Sequence, residues 1–214
     1  MRILLSYLLV LSCLITANAK PLSPAEIERL GNPSDSLHNE QLYLNALEHA
    51  LSDQETNDNL RLRYELLLES ARKNRIDSAA NDITFSTPEN NEYHLSDFLG
   101  TDVLIFFNDP DCESCDKVKK RIDSSELLRR LTAEKKLIIV GIYPFGDEEL
   151  WRRTVYPEIM INGWNRNGEI TDNETYDIPL YPIFYLIDAQ GKVVLKNEPS
   201  LKRVEQQLSS LFNP

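Results

Sequence analysis

The sequence predicts an α/β chain: a sheet with parallel and antiparallel neighbours, flanked by helices and preceded by a small helical region. Three observations carry that prediction. Two strongly apolar runs, at 103–107 and 137–143, enclose helical segments, and a helix between two buried strands is a parallel crossover. Two pairs of short strands are joined by the turn clusters at 88–91 and 188–191, which makes hairpins. Residues 23–73 carry leucines at helical spacing and no strand pattern.

The chain has 214 residues and opens with Arg2, an apolar stretch at 3–14 and the small-residue site Ala17-Asn18-Ala19, so residues 1–19 read as an export leader. The stretch is too short to span a membrane comfortably. Val10-Leu11-Ser12-Cys13 loosely resembles a lipoprotein signal acylated at Cys13, but Leu14 and Ile15 carry the apolar run past it; cleavage after Ala19 is the expectation. Either route takes the chain out of the cytoplasm. Cleavage leaves Cys112 and Cys115 as the mature cysteines. It also removes Arg2, which takes 23 Lys and Arg to 22 against 34 Asp and Glu, a net charge of −12. Such a surface excludes nucleic acid as an electrostatic partner.

Residues 20–78 form the helical region. Ser23-Pro24 opens a short helix that Gly31 stops. Leu37, Leu42, Leu44, Leu47 and Leu51 mark the apolar positions of a second helix. A third, over 57–73, carries Leu60, Leu62, Tyr64, Leu66, Leu67 and Leu68. Packing on the following domain, dimerisation and docking of a partner are all open to such a region. His38 and His49 fall there as surface or boundary side chains.

At 74–80 the pattern changes to small and polar residues, and 79–214 is the second domain. Strands at 82–85 and 92–95 make the first hairpin, with His94 a strand side chain, and Gly100 closes a helical turn. The strand at 102–107 follows, then a helix opened by Cys112, a helix from Ser125 to near Lys136, and the buried strand at 137–143. Asp147 begins another helix with acids in its first turn. Residues 162–168 read as a loop, in which Trp164 is either exposed or, as is commoner for a tryptophan, packed. The second hairpin and an amphipathic helix at 201–212 complete the chain. Pro182 stands at the mouth of a strand, where it is either an edge feature or a cis peptide.

The chemistry is concentrated in Asp109-Pro110-Asp111-Cys112-Glu113-Ser114-Cys115-Asp116. Residues three apart on a helix lie roughly 5 to 6 Å from one another, within the separation a disulfide needs. At a helix start the free N–H groups favour a thiolate on Cys112, while Cys115 sits a turn further in; that asymmetry defines a nucleophile and a resolving thiol. Zinc would need further ligands at matching spacing, and His38, His49 and His94 are scattered upstream. A purely structural disulfide closing so short a loop would restrain little chain entropy.

In this order of elements the chain resembles the exported thiol-disulfide oxidoreductases of bacterial envelopes, within the thioredoxin superfamily. Residues 79–214 carry the resemblance through Asp82-Ile83-Thr84-Phe85, Tyr93-His94-Leu95-Ser96-Asp97-Phe98-Leu99-Gly100, the strand at 103–107, Cys112-Glu113-Ser114-Cys115 and the segment 178–191. The helical region followed by this domain is similar to a subfamily whose N-terminal part has no assigned function. The resemblance implies a thioredoxin-like fold with Cys112 as attacking thiolate, Cys115 as resolving thiol and Pro182 as a cis-proline facing the disulfide. Tyr181 would then offer backbone groups to a substrate chain. It also implies no cofactor or metal, client proteins with thiols or disulfides, an electron donor in the membrane or envelope, and a periplasmic location. Two departures bear on the substrate face: Asp111 stands where the family often has tryptophan, and Tyr181 where it has a small or β-branched residue.

Three rival readings are weaker. A thiol peroxidase would need a Pro-x-x-x-Thr-x-x-Cys arrangement around Cys112, and a copper carrier a histidine after His94. A binding module working through its helical region would have little use for both cysteines and Pro182. Asp109, Asp111, Glu113 and Asp116 crowd the thiols, whereas Lys117, Lys119 and Lys120 begin beyond them. Carboxylates disfavour a neighbouring thiolate, so the expected direction is reduction or isomerisation of clients.

Overall fold

The computed structural model describes residues 22–212; the leader and Cys13 lie outside them. Helix α1 (Pro24–Gly31) starts at a capping box, in which the Ser23 hydroxyl accepts from the Glu26 amide and the Glu26 carboxylate accepts from the Ser23 amide. Asn39 and Asn57 cap α2 (Glu40–Ser52) and α3 (Asp58–Arg72) in the same way through their side-chain oxygens. The three helices enclose a small core of Ile27, Leu44, Leu47, Tyr64, Leu68 and Ala71. Leu37 belongs to neither helix nor core: it lies ahead of α2 and is exposed, because Asn39 starts that helix two residues later. Leu62 and Leu66 also face solvent, since the buried stripe of α3 runs through Tyr64, Leu68 and Ala71.

Seven strands follow: β1 (Thr84–Ser86), β2 (Glu92–His94), β3 (Asp102–Phe107), β4 (Leu137–Tyr143), β5 (Met160–Trp164), β6 (Ile183–Ile187) and β7 (Val193–Glu198). They form one mixed sheet in the order β2-β1-β5-β4-β3-β6-β7. Strands β3, β4 and β5 run parallel, and every other pairing is antiparallel. Helices α4 (Glu113–Ser124) and α5 (Glu126–Ala133) make the crossover from β3 to β4. The second of them stops three residues short of Lys136. Lys135 adopts φ 54° and the Lys136 amide turns back to the Leu131 carbonyl, a left-handed stop.

Side-chain alternation along β3 feeds two cores. Val103, Ile105 and Phe107 join Phe85, Leu95, Ile142, Tyr176 and Tyr185 on one face. Leu104 and Phe106 join Cys115, Ile122, Leu128 and, from the helix α8 (Leu201–Phe212) that follows the short α7 (Glu169–Asp172), Val204 and Leu208 on the other. Cys115 is thus a core residue of the face covered by α4, α5 and α8.

Segment 162–168 is not all loop. Asn162, Gly163 and Trp164 belong to β5, and Trp164 is only 5% exposed. Its ring stacks on Trp151 of α6 (Glu148–Arg153) at 5.3 Å, and the Trp151 indole N–H donates to Asn162 Oδ1 over 2.6 Å. A polar side chain and a glycine mask this strand in the sequence. Asn162 is there to satisfy a buried indole, and Gly163 because Phe85 and the Gly141 carbonyl leave no room for a Cβ.

The helical region is tied to the outer strand of the sheet by polar contacts. Lys196 of β7 is buried, and its ammonium donates to the carbonyls of Ala71 and Lys73 at the end of α3, at 2.7 and 2.8 Å, while Glu40 of α2 lies 3.0 Å away. A cation at a helix C-terminus is placed where the helix dipole favours it. Ser70 donates to Asp177, and the side-chain amide of Asn74, in a left-handed conformation just past α3, donates to the Thr175 carbonyl.

Candidate active site

The tip of β3 delivers the chain to a tight turn. The Asp109 carboxylate accepts from the Asp111 amide at 2.9 Å, and the Asp109 carbonyl accepts from the Cys112 amide at 3.1 Å. These contacts place Cys112 as the N-cap of α4 with extended backbone, φ −92° and ψ 110°. Its sulfur accepts from the Cys115 amide at 3.1 Å and lies 3.0 Å from the Ser114 hydroxyl. A backbone donor of the first helical turn is therefore aimed at the Cys112 sulfur.

Both thiols are free, and their surroundings differ. Cys112 is half-buried, whereas Cys115 has no exposed surface. Burial, followed by the hydrogen bond it makes with Cys112, pushes the Cys115 thiol up to about 12. A backbone hydrogen bond from Asp109 and the charge of Lys119 oppose that shift.

Pro182 is buried, the Tyr181-Pro182 peptide is cis, and Tyr181 packs against the core that contains Cys115 and Cys112. Burial raises the Tyr181 phenol, with the charge of Asp109 the next contribution. Its ring lies 5.8 Å from Phe145, which in turn lies 5.7 Å from Tyr143. Phe145 is 40% exposed, so an aromatic shelf borders the thiols. On another side a cleft of about 880 Å³ is lined by Pro110, Asp111, Asp116, Lys119 and Tyr156 among others.

The structure thus brings together Cys112, Cys115, Tyr181 and Pro182, and adds three residues the sequence reading passed over. Asn108, fully buried, donates to the carbonyls of Ile142 and Phe106 and accepts from the Tyr156 hydroxyl at 3.0 Å. Lys119 is buried on α4 with its ammonium 2.8 Å from Asp116 Oδ1 and 5.0 Å from the centre of the Tyr156 ring. One signal pointed to Lys119: it falls four residues after Cys115 and three before Ile122, on the inward face of the helix. The acidic crowding is also partly relieved, since Glu113 pairs with Lys117 at 2.7 Å and Asp116 with Lys119. Asp109 and Asp111 remain as the acids flanking Cys112 on its N-terminal side. Among the described residues, no group of three or more His, Cys, Asp or Glu gathers in a way that could hold a metal ion.

No family model and no curated protein matches the chain. Solved structures do. A thioredoxin-like protein from Bacteroides caccae superposes with a TM-score of 0.80 at 27% identity, over 85% of this chain and 66% of that one. This chain therefore spans slightly less than two thirds of that relative's length. A conserved protein of unknown function from Bacteroides fragilis matches at 29% identity and TM-score 0.60, over 63% of this chain and 98% of its own. A thiol:disulfide interchange protein from a Bacteroides species shares the fold at 21% identity and TM-score 0.50, over 65% and 91% of the two chains. The mixed sheet, its flanking helices and these neighbours make the fold thioredoxin-like, with an N-terminal helical region in front of it.

Proposed function

We propose that the protein is an exported thiol-disulfide oxidoreductase that exchanges its Cys112/Cys115 pair with the thiols and disulfides of client proteins. The observation that carries this reading is the asymmetry of the pair. A half-buried sulfur at a helix start accepts the amide of a second cysteine that is wholly buried and held protonated. Such a pair attacks with Cys112 and resolves with Cys115. The thioredoxin-like fold and the thiol:disulfide interchange protein among its structural neighbours support the same reading.

In the reducing direction the Cys112 thiolate attacks a client disulfide, and a bond forms between Cys112 and one client sulfur while the other leaves as a thiolate. Cys115 then displaces the client, the two client sulfurs having gained two electrons and the cysteine pair having lost two. Tyr181 and Pro182 are assigned to the client chain, whose main chain would run alongside them. Reduction or isomerisation is the proposed direction because Asp109 and Asp111 put two carboxylates on the N-terminal side of Cys112, in the turn that Asp109 organises. Export rests on the leader pattern at 1–19, and re-reduction is assigned to a donor in the membrane or envelope.

The test is turnover of a disulfide-bonded protein such as insulin, with Cys112→Ser as the inactive control, joined to equilibration in a glutathione buffer. Activity lost with Cys112 supports the assignment. A potential near the value of about −120 mV typical of a strong oxidant would reverse the direction.

A further inference from the structure

Exchange at Cys112 makes no use of Lys119, yet the fold buries it. Removing an ammonium from water is costly unless something is gained by its charge. Its side chain is 6% exposed, whereas that of its partner Asp116 is 53% exposed. Solvent screens the anion of this pair more than the cation, and the charge of Lys119 reaches Cys115, where it acts against the larger effect of burial. The Tyr156 ring fixes the ammonium from the other side, and Tyr156 is itself fastened through Asn108 to the carbonyls of Phe106 and Ile142. Lys119 lies four residues along α4 from Cys115, on the same helix face.

We propose that Lys119 is a positioning residue for the resolving step, its buried charge compensating the thiolate that Cys115 must become. The inference rests on the exchange reading given above. From the mixed disulfide, Cys115 gives its proton to solvent and its sulfur attacks Cys112 Sγ. The Cys112–Cys115 bond forms, the bond from Cys112 to the client sulfur breaks, and the client leaves as a thiolate that takes up a proton. Negative charge rises on Cys115 inside the core before it is passed to the client. A fixed cation one helical turn away lowers the free energy of that state and leaves the first attack, made by Cys112 at the surface, unaffected. Besides Lys119, the titratable groups around Cys115 are Cys112 at the N-cap of α4, Asp109 of the preceding turn, Tyr156 before β5 and Tyr181 before β6, with Asp116 paired to Lys119. Burial raises both phenols, so they stay neutral through the pH range of the assay.

The reduced full chain is mixed with 5,5′-dithiobis(2-nitrobenzoate), and release of the two thionitrobenzoate ions is followed by stopped flow. The first reports attack by Cys112, the second attack by Cys115 on the resulting mixed disulfide. Lys119→Met is expected to slow the second release about tenfold or more at neutral pH and to move its pH midpoint upward, with the first within about twofold of wild type. Lys119→Arg, which keeps the charge, is expected to restore most of the second rate. An unchanged second rate and profile in Lys119→Met overturns the proposal. If that variant does not fold, Asp116→Asn carries the test, because freeing Lys119 of its counter-ion must speed the second release and lower its midpoint. No change there is equally fatal. A wild-type chain that releases only one ion would instead refute the paired-cysteine reading.

Discussion

The Cys115 amide donates to the Cys112 sulfur over 3.1 Å, so the backbone of the buried cysteine holds the sulfur of the half-buried one. The same short turn that brings the two sulfurs together also separates their acidities. Burial holds Cys115 as a thiol with a pKa of about 12, and at pH 8 a group of that acidity is ionised to only about one part in ten thousand. Iodoacetamide should therefore label Cys112 much faster than Cys115, as read by peptide mass after a timed quench. Cys115→Ser should accumulate mixed disulfides with clients. Preferential labelling of Cys115 would reverse the two roles.

The raised pKa of Cys115 also bears on stability. Because the folded pKa lies above the ordinary thiol value of 9.0, the unfolded chain loses this proton first as pH rises. The contribution is complete below pH 9 and is lost as pH climbs from there towards 12. Urea titrations of the reduced protein at pH 8 and pH 10 should show a loss of stability that is smaller in Cys115→Ala. An equal loss in both proteins would place the alkaline sensitivity in other groups.

Lys196 joins the helical region to β7 through two carbonyls of α3 and the Glu40 carboxylate. Lys196→Met leaves those acceptors without their donor, and a buried charged hydrogen-bond network broken on one side costs about 2 to 4 kcal/mol. The urea midpoint should fall accordingly with little change in slope. A loss of under about 0.5 kcal/mol would show that water replaces the ammonium without penalty.

The elements that define the fold were legible because their patterns are local. Runs such as 103–107 and 137–143 are apolar through their whole length, and Asp188 to Gly191 is a turn by composition. Strand β5 was hidden because Asn162 and Gly163 answer to distant partners, Trp151 and Phe85, that no local window contains. The site divides the same way. Cys112 and Cys115 announce themselves by spacing, and Pro182 by its place before a strand. Lys119 stood in the sequence only as one of three lysines beyond the thiols, because the partner that lies over its ammonium, Tyr156, is 37 positions later.

Gly163 is a position where packing dictates the residue. A Cβ there would stand 2.9 Å from Phe85 Cδ2 and 3.3 Å from the Gly141 carbonyl oxygen. Gly163→Ala should cost about 1 to 3 kcal/mol, the usual penalty of overpacking, visible as a lower thermal midpoint. The effect should shrink when Phe85→Leu is added. Full additivity of the two substitutions would mean that the clash is relieved elsewhere.

The proposed direction of electron flow is open to test at the carboxylate of Asp109. That carboxylate is held against the turn by the Asp111 amide, and after burial it helps to hold the Tyr143 and Tyr181 phenols above their ordinary pKa, so its field reaches the mouth of the site. A negative charge there disfavours the Cys112 thiolate and so the reduced form, which makes the pair a stronger reductant. Asp109→Asn keeps the oxygen that accepts from Asp111 and removes the charge. The potential of the variant is expected to be about 15 to 30 mV less negative. Equilibration of wild type and variant with glutathione reads the difference directly. Raising the salt from about 0.1 M to 1 M should shrink the gap, because the Debye length falls from about 10 to 3 Å. A shift of opposite sign, or none at low salt, would mean that the potential is governed by the buried surroundings of Cys115 and not by the acidic turn.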